Sequence, residues 1–129
     1  MPRLEARAAF SLGSVHLQQS RAKEALAEAQ ASLAFFQPSG YLVETRLVEL
    51  LIARAHRILG QLDEAIAAFD NAFKLAEASK DTGLMETAQA GRAGILADQE
   101  SFPESIAAYE RAIALATPYT IPPASTSPR

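Results

Sequence analysis

The sequence repeats itself at an interval of 40 residues. Equivalent positions of the three copies are occupied by the pairs Glu24-Ala25, Glu64-Ala65 and Glu104-Ser105. In each copy, two stretches with the helical spacing of apolar residues are joined by a short polar turn and followed by a second polar connection. A period of this length with two helices per copy is typical of stacked hairpins. The sequence therefore predicts an all-α fold of three antiparallel helical hairpins.

Small residues hold a constant register across the three copies. They fall at one position of the first helices and two positions of the second helices: Gly13, Ala53 and Ala93; Ala25, Ala65 and Ser105; Ser32, Ala72 and Ala112. Side chains of this size let two helix axes approach closely. An alanine-rich antiparallel bundle is the alternative fold, since alanine has the highest helix propensity. Propensity does not explain a constant register, which favours the repeat.

The composition is that of a folded protein that works in water. The chain has 129 residues, of which 49% are hydrophobic and 21% charged, and this is enough for one domain with a core. Its basic residues are scattered and its formal net charge is -3, so we expect no nucleic-acid partner. The sequence has no cysteine, no apolar run of membrane-spanning length and no apolar signal core. We therefore expect a cytoplasmic protein without a membrane partner.

The repeated residues resemble the tetratricopeptide repeat (TPR) family. The family pattern places Leu-Gly in the first helix, Asp-Glu-Ala at the start of the second, and then an aromatic residue and Ala downstream. The matching residues here are Leu12-Gly13, Asp63-Glu64-Ala65, Phe69 and Ala72. The likeness covers roughly residues 4 to 117. Because its 40-residue period exceeds the usual period of about 34, the chain is similar to the long-repeat variant found in regulatory and motor-adaptor proteins.

This resemblance implies a right-handed α-α superhelix of three stacked antiparallel hairpins, a TPR-like solenoid. One domain over residues 1–117 would contain repeats at roughly 4–39, 40–81 and 82–117. Residues 118–129 are rich in Pro, Ser and Thr, so we expect them to form an extended or disordered tail.

The resemblance also implies a function. Stacked hairpins of this kind hold a peptide or helix of a partner protein on a concave wall that the first helices line. Such a chain would be a non-catalytic binding scaffold, alone or as part of a larger regulatory protein. Helical spacing predicts the following wall residues: Arg7, Phe10, Ser14, Leu17, Leu47, Leu50, Arg54, Arg57, Thr87, Ala90, Gly94 and Ala97.

The chemistry of this wall favours an acidic or amphipathic peptide. Arg54 and Arg57 could pair with carboxylates beside the nearly bare helix face that contains Ala90 and Gly94. The alternative is that these small residues only allow tight packing within the stack and that the two arginines are simply solvated.

The sequence contains no pattern typical of catalysis, metal binding or cofactor binding. His16 and His56 share a register one repeat apart, but neighbouring helices lie about 8–10 Å apart, whereas a zinc ligand nitrogen lies about 2 Å from its ion. We therefore expect each histidine to hydrogen-bond to the adjoining helix rather than to share a metal. An enzyme stays a third hypothesis, because one sequence does not exclude a cryptic site.

From the sequence we expect no polar capping helix at either end of the array. The last helix would leave Ile106, Tyr109 and Ile113 uncovered. Three explanations remain open: the chain belongs to a longer protein, it self-associates through its ends, or residues 118–129 lie along a wall. The rival function is therefore a structural module that forms homo-oligomers through these end-helix residues.

Overall fold

The computed structural model describes residues 2–116, which form six α-helices. In chain order the helices are α1 (Pro2–Gln18), α2 (Ala22–Phe36), α3 (Leu42–Ile58), α4 (Leu62–Ala78), α5 (Thr82–Asp98) and α6 (Phe102–Ala116). Each helix packs against the next, so that α1–α2, α3–α4 and α5–α6 form three hairpins stacked in sequence order. The predicted all-α, TPR-like fold is confirmed. The tail predicted for residues 118–129 lies outside the described residues.

All five connections between the helices have the same geometry. Each contains one residue with a left-handed backbone, φ between 58° and 77°, at 20-residue intervals: Ser20, Gly40, Gly60, Lys80 and Glu100. The backbone N–H of the next residue donates to a carbonyl of the last helical turn, as from Gln61 to His56 at 2.8 Å. This arrangement satisfies carbonyl groups that a helix end leaves unpaired. Four connections have three residues and the one between α2 and α3 has five, but α2 is shorter by two residues than the helices on either side of it, so a helix begins every 20 residues and a hairpin every 40.

The small residues that share a register in the sequence are all buried. Two of them are serines whose hydroxyl groups bond to the backbone of the other helix in the same hairpin. Ser32 Oγ donates to the carbonyl oxygen of Ala6 at 2.7 Å, and Ser105 Oγ donates to that of Ala93 at 2.8 Å. Such distances require close helix axes, which the small side chains permit. The buried hydroxyls are thereby paired, so their burial carries little cost.

The middle hairpin supplies most of the main apolar cluster. Helix α3 has nine buried residues, whereas α1 has two and α6 has three. Val48, Leu51 and Ile52 of α3 and Phe69 of α4 are all buried within the main apolar cluster. Helices α3 and α4 have neighbours on both sides, while α1 and α6 lie at the ends of the stack. Within residues 2–116, no helix is both long enough and apolar enough to cross a membrane.

Candidate peptide-binding groove

Two depressions lie along the junctions of the first helices, α1, α3 and α5. The first, which we call the α1–α3 depression, has a volume of about 290 Å³. The second, the α3–α5 depression, has a volume of about 550 Å³ and also receives Leu17 from the end of α1. Together these depressions form the candidate groove, on the side of the stack where the sequence predicts a binding wall.

The α1–α3 depression has an aromatic floor and a charged edge. Phe36, at the end of α2, is buried at its base. Tyr41 stacks on Phe35, with ring centroids 5.9 Å apart, and meets Phe36 edge to face at the same distance. The guanidinium of Arg3 lies 4.6 Å from the centre of the Tyr41 ring and forms an ion pair with Glu44 at 3.5 Å. Phe36 therefore connects the depression to a cluster of three aromatic rings, and the Glu44 carboxylate that lines the depression is already paired with Arg3.

The floor of the α3–α5 depression comes from a second helix. The ring of Phe69 reaches from α4 into the depression, where it lies on the backbone of Gly91 in α5. A Cβ atom at position 91 would lie 2.4 Å from two atoms of this ring, so the contact requires glycine. Leu17 and the exposed Ile58 extend the apolar surface. This depression can therefore accept an apolar side chain.

Arg57 covers part of the groove near its end. Its Nε donates to Asp98 Oδ2 at 3.0 Å. Its guanidinium lies over Gly94, where an added Cβ atom would be 3.0 Å from Nη1. The ion pair is solvent-exposed, so its contribution to stability is about 0–1 kcal/mol. A partner at this point would meet the Arg57–Asp98 pair rather than the bare helix face.

The arginines of the first helices divide into paired and unpaired residues. Four of them form ion pairs: Arg3 with Glu44, Arg46 with Asp81, Arg57 with Asp98, and Arg92 with Asp70. The other two, Arg7 and Arg54, form no ion pair within 4.0 Å among residues 2–116. Both are exposed, and each lines one depression. Each depression therefore has one arginine whose charge the fold leaves available.

The residues predicted for the binding wall separate into three groups. Those that line a depression are Arg7, Phe10, Leu17, Leu47, Arg54, Arg57 and Thr87. Leu50 and Gly94 are buried, so they support the groove without presenting surface to a partner. Ser14 donates to the carbonyl of Phe10 at 3.1 Å, and Ser14, Ala90 and Ala97 are half-buried and line neither depression. A binding role for the set stays a prediction.

Several lining residues were not among those predicted: Ser11, Phe36, Val43, Glu44, Val48, Ile58, Phe69, Gly91 and Asp98. Val43 lies four residues before Leu47, so helical spacing could have identified it. Asp98 follows Arg57 by 41 residues, the offset that also separates Arg3 from Glu44, so a search for opposite charges at that offset could have found it. Phe69 had no such signal, because the predicted wall contained first helices only.

His16 hydrogen-bonds to the adjoining helix, as predicted, whereas His56 bonds to a turn residue instead. His16 Nδ1 lies 2.7 Å from Glu28 Oε1 of α2, and His56 Nδ1 lies 2.6 Å from Oε1 of Gln61, which directly precedes α4. Among residues 2–116, no group of three His, Cys, Asp or Glu side chains could hold a metal ion. The His16 contact therefore joins α1 to α2, and the His56 contact joins α3 to the turn before α4.

A buried carboxyl group lies away from the groove, between α2 and α4. Glu49 of α3 is 5% exposed, and this burial raises the pKa of its carboxyl group above the ordinary value, while a hydrogen bond with Asn71 acts in the opposite direction. The folded chain therefore holds this proton more tightly than the unfolded chain. The resulting stabilisation is complete below the unfolded-state pKa and is lost as the pH rises through the folded-state pKa.

The two ends of the stack expose apolar side chains. On α6 these are Phe102, Ile106, Tyr109 and Ile113, and on α1 they are Leu4, Leu12 and Val15. The residues predicted for an oligomer interface are therefore on the surface of the last helix. Their role in association stays a prediction.

Comparison with known proteins agrees with this architecture. A family model described as "Tetratricopeptide repeat" matches residues 3–40 and 50–119, which is more than half of the chain. The crystal structure of aspartyl phosphate phosphatase F from Bacillus subtilis is similar, with a TM-score of 0.85, 21% sequence identity, and coverage of 89% of this chain. This chain spans 30% of the length of that one, and at this identity the likeness shows the fold alone. No curated protein matches the sequence. The chain belongs to the tetratricopeptide repeat family.

Proposed function

We propose that this chain is a non-catalytic scaffold whose groove holds an acidic, amphipathic peptide or helix of a partner protein. The observation that carries the proposal is that each apolar depression has an arginine left unpaired within residues 2–116, Arg7 in the first and Arg54 in the second. A cation beside apolar surface attracts a carboxylate that lies next to an apolar side chain. Membership of the TPR family supports a protein partner.

The α3–α5 depression suggests how such a partner would bind. An apolar side chain would pack on Leu17 and the exposed Ile58, above the buried ring of Phe69. A carboxylate near it would accept hydrogen bonds from Arg54. On a helical partner these two groups would be three or four residues apart, because that spacing places them on one face. The Arg57–Asp98 pair at the edge would disfavour a partner that is acidic along its whole length, because Asp98 would repel it.

Selection from a random displayed peptide library tests this proposal. Peptides retained by the protein are expected to carry Asp or Glu close to Leu, Ile or Phe. Arg54→Ala should weaken the binding of a selected peptide, measured by fluorescence anisotropy, roughly tenfold, which is about 1.4 kcal/mol. The matched control, Arg111→Ala, removes an exposed arginine from α6 and should leave the affinity unchanged.

Two results would contradict the groove as the binding site. One is a selected peptide whose affinity is unaffected by both Arg7→Ala and Arg54→Ala. The other is a set of backbone NMR shifts, induced by the peptide, that avoids α1, α3 and α5.

We further propose that the scaffold serves within a larger regulatory protein in the cytoplasm. In support, the chain spans 30% of the length of the similar phosphatase structure, so this fold occurs there as part of a longer chain. A cysteine-free sequence does not depend on an oxidising compartment.

Self-association through the ends of the stack is the second candidate function. The observation that favours it is the exposed apolar surface of α6, where Ile106 is 58% exposed and Tyr109 is 43% exposed. Sedimentation velocity over a range of concentrations tests it, since the mean mass should rise with concentration. A constant monomer mass would reject self-association and leave the groove proposal untouched.

A further inference from the structure

We propose that a second copy of this chain docks its α1 on the exposed face of α6 and so continues the stack of hairpins. The proposal rests on the second candidate function, self-association, and adds which two surfaces meet. It is argued from the junctions inside one copy, where a second helix already packs against the first helix of the next hairpin, α2 on α3 and α4 on α5.

The exposed face of α6 is equivalent to the face of α4 that covers α5. Tyr109 lies 40 residues after Phe69, and Ile106 lies 40 residues after Ile66. Phe69 is 3% exposed at the α4–α5 junction, whereas Tyr109 is 43% exposed. Ile66 is partly buried against the core, whereas Ile106 is 58% exposed. On α4 this surface packs against α5, the first helix of the next hairpin. Helix α6 has the equivalent surface, and in a single copy it is exposed.

The exposed face of α1 is equivalent to the face of α3 that packs on α2. Leu12 and Val15 lie 40 residues before Ile52 and Ala55. Both residues on α3 are buried, at 6% and 0% exposure, whereas Leu12 and Val15 are each 48% exposed. The two ends of one copy therefore carry the two halves of a junction that the fold already forms twice.

Side-chain size is complementary across the existing junctions. The large ring of Phe69 lies on Gly91, which follows it by 22 residues. At the same offset in the preceding junction stand Ala29 and Leu51, again one small residue and one large residue, and both are buried in the main apolar cluster. One large residue opposite one small residue lets neighbouring helices pack closely.

If a second copy continues the stack, the same offset places Tyr109 of the first copy opposite Ser11 of the second. This pair again consists of one large residue and one small residue. Ser11 has the Cβ atom that Gly91 lacks, so Tyr109 cannot lie as deep as Phe69 does. Ser11→Gly is therefore expected to tighten the association, because it reproduces the internal contact.

The proposed contact is apolar rather than charged. The α4–α5 junction contains an ion pair between Asp70 and Arg92 at 3.2 Å, but the equivalent residues at the new junction are Glu110 and Leu12. An association without this ion pair should change little in strength with salt concentration. Because the second copy joins by a different surface from the first, the contact is heterologous and can continue to further copies.

Two variants of the full chain test this arrangement. Ile106→Glu places a charge on the α6 face only, and Leu12→Glu places one on the α1 face only; both positions are exposed, so circular dichroism should show unchanged helix content. Each variant alone should sediment as a monomer. An equal mixture should form a dimer and nothing larger, because one intact α6 face meets one intact α1 face. Leu42→Glu, at an exposed position of α3 away from both end faces, is the matched control and should associate like the wild type.

The other outcomes overturn the arrangement in distinguishable ways. If Leu12→Glu alone still forms a dimer and mixing adds nothing, α6 faces pair with each other, and self-association survives without this geometry. If the wild type is a monomer at all concentrations, self-association fails together with the arrangement. If both variants associate like the wild type, a surface other than the two ends carries the contact.

Discussion

The floor of the groove depends on the absence of one side chain, that of Gly91. Gly91→Ala would place a Cβ atom 2.4 Å from the ring of Phe69, so the ring or α5 must shift. Overpacking of this kind costs about 1–3 kcal/mol, which outweighs the gain of about 1 kcal/mol that alanine brings to a helix. We expect Gly91→Ala to lower the free energy of unfolding, measured by urea denaturation.

Gly83→Ala is the matched control, because it makes the same substitution in the same helix. An added Cβ atom at position 83 would lie 3.7 Å from Asp81 Oδ1, an ordinary contact. This variant should be at least as stable as the wild type, since only the helix propensity changes. Equal stability of the Gly91 and Gly83 variants would show that the Phe69 contact does not constrain position 91.

Single residues also show what the sequence does not predict, namely how deeply a side chain is buried and which neighbour covers it. Helical spacing predicts Leu47, Leu50 and Arg54 for one face of α3, but it does not give depth: Leu47 and Arg54 line depressions, whereas Leu50 is buried. The spacing likewise leaves Gly94 bare, whereas in the structure Arg57 folds over it to reach Asp98. Which long side chain covers which small residue depends on the neighbouring helix, so one helix considered alone cannot predict it.

At the scale of elements, the five turns use one backbone geometry with different residues. Gly40 and Gly60 suit a left-handed backbone, whereas Lys80 and Glu100 adopt it with side chains, at a cost of about 1–2 kcal/mol each. Glu100→Gly should remove this strain and also a negative charge at the end of α5. Glycine also raises the conformational entropy of the unfolded chain, which offsets part of this effect. We therefore expect the free energy of unfolding, measured by thermal or urea denaturation, to rise by about 0.5–1 kcal/mol.

The reverse substitution is the control for these turns. Gly60→Ala imposes the strain where the fold now avoids it, so we expect a loss of about 1 kcal/mol. If Glu100→Gly and Gly60→Ala both raised or both lowered the free energy of unfolding, the left-handed backbone would not determine how these turns affect stability.

The elements themselves were largely predictable, and for a definite reason. The 40-residue interval predicts hairpins because small residues recur at equivalent positions of every copy, where the two helices of a hairpin pack closely. The 20-residue interval between helices was not visible, because first and second helices carry different residues at matching positions, such as Gly13 and Leu33. The turn geometry that imposes this interval also occurs at Ser20 and Lys80, where no glycine signals it.

At the scale of the whole molecule, stability should be graded along the stack. Helix α3 contributes nine buried residues and has neighbours on both sides, whereas α1 and α6 contribute two and three and lie at the ends. In a stack whose hairpins contact only their neighbours, the end helices open at lower free energy than the middle. Hydrogen exchange followed by mass spectrometry should therefore show the slowest exchange in α3 and the fastest in α1 and α6.

The same measurement connects stability to assembly. If a second copy covers α6 with its α1, raising the protein concentration should slow exchange in these two helices and leave α3 unchanged, because α3 already has both neighbours. Ile106→Glu should abolish this dependence on concentration while keeping the gradient along the stack. Uniform exchange across all six helices would mean that the chain opens as one unit, and it would contradict a stack stabilised by nearest-neighbour contacts.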